Sequence, residues 1–156
     1  VAESGDNSAV LFAYDGSEFA KAAIAEAADQ LRPGRRGIVL TVSYSTEGLL
    51  FLGVGGLPAD APTVEGMIED AERSAEKVAE EGAGLARDAG FDAEPEVVVG
   101  SPIWEQIVQS ADRLDAGLIV IGSHGRTGLG QVMLGSVAAA VAQHSKRSVL
   151  IVHRPQ

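Results

Sequence analysis

Apolar residues gather in five short runs along the chain, at 9–14, 37–44, 93–99, 118–121 and 148–152. The second, fourth and fifth are near-continuous in Val, Ile and Leu, without polar alternation. Such runs suit strands covered on both faces, hence a parallel sheet between helices. Between the runs the apolar spacing becomes helical. Ser17 is placed to cap a first helix carrying Ala20, Ala23, Ile24, Ala27 and Leu31, with Pro33-Gly34 as its stop. A second, longer stripe runs through Met67, Ala71, Ala75, Val78, Leu85 and Ala89 to a stop at Gly90, its other faces charged. Ser101-Pro102 reads as a cap followed by proline at the first helical position, ahead of Ile103, Ile107, Ala111 and Leu114. A fourth helix begins near Ser136 and runs through Val137, Ala140 and Val141 to His144. The order is β-α-β-α-β-α-β-α-β, which predicts a doubly wound α/β sheet with right-handed crossovers.

The 156 residues suit one domain, with residues 1–8 as a polar N-terminal arm and 9–156 as the folded unit. Apolar residues at 46% supply a core, and no segment is long enough to span a bilayer, so no membrane partner is expected. The net charge of −10 repels phosphate backbones and argues against nucleic acid as a partner. It leaves room for a small anion held by backbone N–H groups. The absence of cysteine excludes disulfides and thiol chemistry. No secretory signal is visible, and the expected location is the cytoplasm.

Two long connections break the rhythm, at 45–64 and 122–135. The first holds Leu49, Leu50, Phe51, Leu52, Val54 and Leu57. It is either a loop without fixed order or a cover over a ligand or partner surface. The second leaves the fourth strand and enters a helix N-terminus, carrying Gly122, Gly125, Gly128, Gly130 and Gly135 ahead of Ser136. Ligands bind at that end of an open parallel sheet. Glycines admit close approach to a phosphate, unpaired N–H groups open the helix, and Ser136 and Arg126 can add a hydroxyl and a positive charge. The alternative is that the glycines only make turns. The dinucleotide pattern G-x-G-x-x-G fails at Met133, and the P-loop pattern fails at Gln131-Val132.

The spacing Gly122-x2-Gly125-x9-Gly135-Ser136 resembles the signature of the ATP-binding branch of the universal stress protein family. Ala13-Tyr14-Asp15-Gly16-Ser17, Gly100-Ser101-Pro102, residues 116–122 and residues 148–153 are similar to the family as well. The resemblance implies strand order 3-2-1-4-5 in a five-stranded sheet with helices on both faces. It implies ATP as ligand, with any Mg²⁺ or Mn²⁺ carried by the nucleotide, and a homodimer joined through edge strand 148–152. Carried over by position, Asp15 would bond the ribose and Val42 would hold adenine through its backbone. Gly122, Gly125, Arg126, Gly135 and Ser136 would surround the phosphates, and Ile121, His124 and Val137 would line the same pocket. Tyr14 departs from the family, which often has a smaller residue before the aspartate, and could crowd the adenosine side.

Single residues keep a second reading. Asp15 could be only a helix cap, and His124 only an exposed loop residue; beside phosphates His124 would be a binding group rather than a base. His144, His153 and Trp104 read as a helix end, a strand end and helix packing, with no histidine spacing that holds a metal. Three functions are compatible: an ATP-binding regulator in stress response read by a protein partner, a slow ATPase, or a nucleotide-free interaction domain. Few groups near the loop suit catalysis, so no catalytic residue is assigned and at most weak hydrolysis is expected.

Overall fold

The structure, a computed structural model, describes residues 8–45, 63–126 and 133–154. Apart from Ser8, the expected polar arm lies outside the described residues, as do Leu49, Leu50, Phe51, Leu52, Val54 and Leu57 of the 45–64 connection and Gly128 and Gly130.

The described elements are β1 (Ala9–Ala13), α1 (Glu18–Gln30), β2 (Arg36–Ser43), α2 (Val64–Asp88), β3 (Asp92–Val99), α3 (Ile103–Arg113), β4 (Ala116–Gly122), α4 (Ser136–His144) and β5 (Ser148–Val152). The five strands form one parallel sheet in the order β3-β2-β1-β4-β5, as expected. β1 and β4 are neighbours although three helices and two strands separate them in the chain. The winding reverses between them, and this is where an open sheet parts to form a crevice.

Alternate residues of each strand feed two cores. Val10, Phe12, Val39, Val120 and Val152 pack under α1 and α2 with Ala20, Ala23, Ile24, Ala27, Ala83 and Ala86. Leu11, Leu40, Ile119 and Ile121 pack under α3 and α4 with Ile107, Ala111, Ala138 and Val141. Helical alanines let α1 and α2 lie close to the sheet. Gly82 of α2 goes further: a Cβ there would fall 2.7 Å from both Tyr14 and Val39. Phe12 meets Phe91 edge-on at 5.0 Å.

Caps follow the sequence in part. Ser17 accepts from Ala20 N–H, and Thr63 accepts from Gly66 N–H. The third helix differs from expectation. Pro102, extended at φ −72° and ψ 158°, is itself the N-cap, and the helix starts at Ile103 without a side-chain cap. Proline's fixed φ suits a cap residue as well as the first helical position, and it displaces Ser101 one residue too far out to serve.

The sheet's two edges are built differently. β3 carries Asp92, Glu94, Pro95 and Glu96, charges and a proline that discourage strand addition. β5 reads Ser-Val-Leu-Ile-Val, with no charge or proline. No helix among the described residues is long and apolar enough to cross a membrane.

Candidate functional site

Where β1, β2 and β4 end, a cavity of about 490 Å³ opens on the α3/α4 side of the sheet. The size lies within the roughly 300–1,000 Å³ of small-molecule sites. Its wall contains Asp15, Val42, Ile121, Gly122, His124, Gly125, Arg126, Gly135, Ser136 and Val137, all of the residues singled out from the sequence.

One end of the cavity is apolar. Leu40 and Val42 rise from β2, Ile121 from β4, Ile103 and Ile107 from α3, and Val137 and Ala138 from α4. The main chain of Val42 adds polar groups there. In a parallel strand, successive residues turn their N–H and C=O to opposite sides. The Leu40 carbonyl accepts from Tyr14 N–H, on the β1 side, and the Ser43 carbonyl accepts from Gly100 N–H, on the other. Val42 therefore turns its N–H and C=O to the side of β1, beyond that strand's last residue, Ala13.

The other end is made of turns and glycines. Asp15 follows β1, and its Oδ1 accepts from Ser17 N–H at 2.9 Å. Both readings of Asp15 thus have a place: one oxygen organises the start of α1, and the other faces Gly125, where a Cβ would lie 2.8 Å from Oδ2. Gly122 and Gly135 are required by close approach rather than by left-handed backbone. A Cβ on Gly122 would fall 2.8 Å from the main-chain carbon of Phe19 in α1. A Cβ on Gly135 would fall 2.8 Å from the Ser123 carbonyl oxygen, which accepts the Gly135 N–H. That bond seats the start of α4 against the end of β4. Gly135 is the N-cap and offers no side-chain oxygen, so the first turn of α4, including Ser136, has N–H groups without a side-chain cap.

Two further contacts close the glycine segment. His124 Nε2 donates to the Met133 carbonyl, and with that nitrogen protonated Nδ1 accepts from Ser123 Oγ at 3.1 Å. Arg126 Nε donates to the Asp15 carbonyl at 2.7 Å, tying the segment to the β1–α1 turn. The ring of His124 also packs against Phe19 at 5.2 Å.

Tyr14 does not crowd this space with its ring. Continuing the alternation of β1, the side chain enters the α1/α2 core, is 3% exposed, and donates its hydroxyl to Glu81 at 2.9 Å. Lys21 lies 3.2 Å from the same carboxylate oxygen. Burial foremost, then the bond to Glu81, pushes the phenol above its ordinary range. Glu81 in turn is held below the usual carboxylate range by the Tyr14 and Lys21 bonds. The Tyr14 carbonyl is fixed from the other side by Thr41 Oγ1 at 2.9 Å.

Sequence reasoning passed over Thr41, Tyr44, Ile103, Ile107, Met133 and Leu134 as cavity residues. Ile103 and Ile107 were visible as a helical stripe, but a stripe does not say that its first turn overhangs an opening. His144 and Trp104, read separately, stack at 4.4 Å between α4 and α3, away from the cavity wall.

A profile of the universal stress protein family matches residues 7–153. The universal stress protein MJ0577 of Methanocaldococcus jannaschii is 36% identical over 110 residues, covering 67% of this chain and 65% of its own length. Its solved structure superposes with a TM-score of 0.77 at 26% identity, over 96% of this chain and 98% of that one. The universal stress protein YxiE of Bacillus subtilis is 31% identical over 153 residues, 92% of this chain and 97% of its own. A universal stress protein solved in complex with cAMP superposes with a TM-score of 0.65 at 27% identity, over 95% of this chain and 98% of that one. On a profile match that runs from before β1 to just after β5, and a sheet order that agrees with it, this chain belongs to the universal stress protein family.

Proposed function

We propose that the cavity binds an adenine nucleotide, ATP in the first place, and that the protein acts in stress response as a regulator whose bound and free states a protein partner reads. The observation that carries this is the division of one cavity into an apolar end and a glycine-lined end at the start of α4. A nucleotide has the same division. The base fits among Leu40, Val42, Ile103 and Ile107, with the turned-out N–H and C=O of Val42 for its polar edge. Asp15 Oδ2 reaches the ribose. The N–H groups opening α4, the Ser136 hydroxyl and Arg126 receive the phosphates. The family relative solved with cAMP supports an adenine nucleotide.

A Mg²⁺ or Mn²⁺ would arrive on the phosphates. Among the described residues no group of three or more His, Asp or Glu can hold a metal, while the Ser136 hydroxyl on the cavity wall offers oxygen to one already bound. Such an ion would neutralise phosphate charge.

Hydrolysis is expected to be slow. Both nitrogens of His124 are engaged, one donating and one accepting, and Asp15 Oδ1 is held by Ser17. No other side chain on the described cavity wall suits the activation of water. Purified protein should retain or bind ATP while turning it over well below the enzyme range of about 1–1,000 per second. Fast turnover abolished by His124→Ala would overturn the regulatory reading, and a chain that binds no nucleotide would leave the interaction-domain reading in its place.

No described strand lies beyond β5, and its apolar edge fits a second copy of this chain, two edges meeting across a two-fold axis. Light scattering should report a dimer for the parent chain and a shift toward monomer when Ile151→Pro removes an N–H from the edge, circular dichroism confirming the fold. A monomer at high micromolar concentration would exclude the pairing.

A further inference from the structure

The wall of the cavity continues into a second, shallower hollow of about 320 Å³. It is lined by Gly16, Ser17, Glu18, Phe19, Gly125, Arg126 and Arg154. Gly125 and Arg126 line both spaces, so the two hollows adjoin at these residues.

Two arginines face this hollow. In a protein of net charge −10, the guanidinium groups of Arg36, Arg73, Arg87, Arg113 and Arg147 each sit against a carboxylate. Arg126 and Arg154 pair with no carboxylate among the described residues, and both face the same hollow. Among the described residues Arg126 makes one hydrogen bond, from Nε to the Asp15 carbonyl. Arg154 comes from the segment just after β5, far from the glycine signature in sequence. Among the described residues Glu18 is the one carboxylate on the wall, and Lys21 lies 3.6 Å from it.

Resting on the nucleotide reading above, we propose that this hollow receives the outer phosphates of the nucleotide and that Arg154 makes the site sensitive to phosphate number. The first phosphate meets the start of α4 and Ser136. Later phosphates run along Gly125 on the side away from the Asp15 carboxylate and come between the two arginines. A guanidinium presents paired N–H donors that match phosphate oxygens, and two of them offset the charge that a growing phosphate chain accumulates. Arg154 acts on the triphosphate end alone, because it lines the second hollow and not the first.

Calorimetric titration of the full chain with AMP, ADP and ATP, against Arg154→Gln and Arg154→Lys, tests this. The parent chain should bind ATP more tightly than AMP. Arg154→Gln should leave AMP affinity within about twofold while weakening ATP roughly tenfold, and Arg154→Lys should recover part of that loss. The ATP-over-AMP preference should shrink as salt is raised, since the arginines are exposed. Equal loss for AMP and ATP in Arg154→Gln, or no loss for either, would overturn the subsite. A parent chain that binds none of the three would instead overturn the nucleotide reading on which it rests.

Discussion

The two ends of the cavity are made of different material. The apolar end borrows the core: Leu40, Ile107, Ile121 and Ala138 belong to the cluster beneath α3 and α4 as much as to the wall. The glycine end borrows almost nothing from it. Asp15, His124, Arg126 and Ser136 lie in turns or at a helix start, and the first three make bonds that hold turns together. Binding and stability are therefore fused at one end and separable at the other, except where a glycine holds two backbones in contact.

That exception gives the largest expected effect. Gly135→Val would drive a branched side chain into the Ser123 carbonyl and the His124 backbone. From the sequence alone the same substitution would have seemed to fill a phosphate site. The structure makes it a disruption of the junction between β4 and α4, so binding and thermal stability should fall together. Gly125→Ala meets only the end of the Asp15 side chain, which can turn aside. It should keep the fold and lose affinity. A Gly135→Val protein that melts like the parent would contradict the close packing argued here.

The next comparison sets Ile107→Ala against Arg126→Gln. Ile107 is 3% exposed, and truncating it should cost about 2–5 kcal/mol in denaturant unfolding, with weaker ATP binding alongside. Arg126 lies at the surface, and Arg126→Gln should change stability by less than about 1 kcal/mol while lowering ATP affinity roughly tenfold. Parallel losses in both variants would erase the distinction between the two ends.

The smallest effect concerns Tyr14, behind the glycine end. Its phenol is raised above the ordinary value of 10.0 by burial and by Glu81, so the folded state prefers the neutral form. The stability it contributes is intact below about pH 10 and is lost as pH rises through the raised folded value. Glu81 works in the opposite sense: its contribution is present above the ordinary carboxylate value of 4.5 and fades as pH falls through its lowered one. Tyr14→Phe should cost about 1 kcal/mol at neutral pH and flatten the alkaline fall in melting temperature. An unchanged alkaline limb would show that the Tyr14–Glu81 bond does not govern it.

Much of this was legible in the residues. Near-continuous Val, Ile and Leu runs separated by helical stripes fixed the class of fold, and the glycine spacing located the polar end of the site. Strand order came from the family resemblance, because periodicity says which face a residue takes but not which strand lies beside it. The apolar end was harder to see. Ile103 and Ile107 carry the same pattern whether they cover a sheet or overhang its end, and only the packed structure separates the two. Tyr14 shows the same limit: it lines the cavity, but its size alone does not say where the ring goes, and strand alternation sends it to the other layer, where Gly82 leaves room for it.

A titration with ATP, adenosine and inorganic tripolyphosphate, each alone on the parent chain, bears most directly on a cavity with two complementary ends. ATP should bind at least about a hundredfold more tightly than either fragment, since only ATP fills both ends while losing its freedom once. Tripolyphosphate binding as tightly as ATP would reduce the site to a surface anion trap, and an adenosine affinity equal to that of ATP would leave the glycine end without a role.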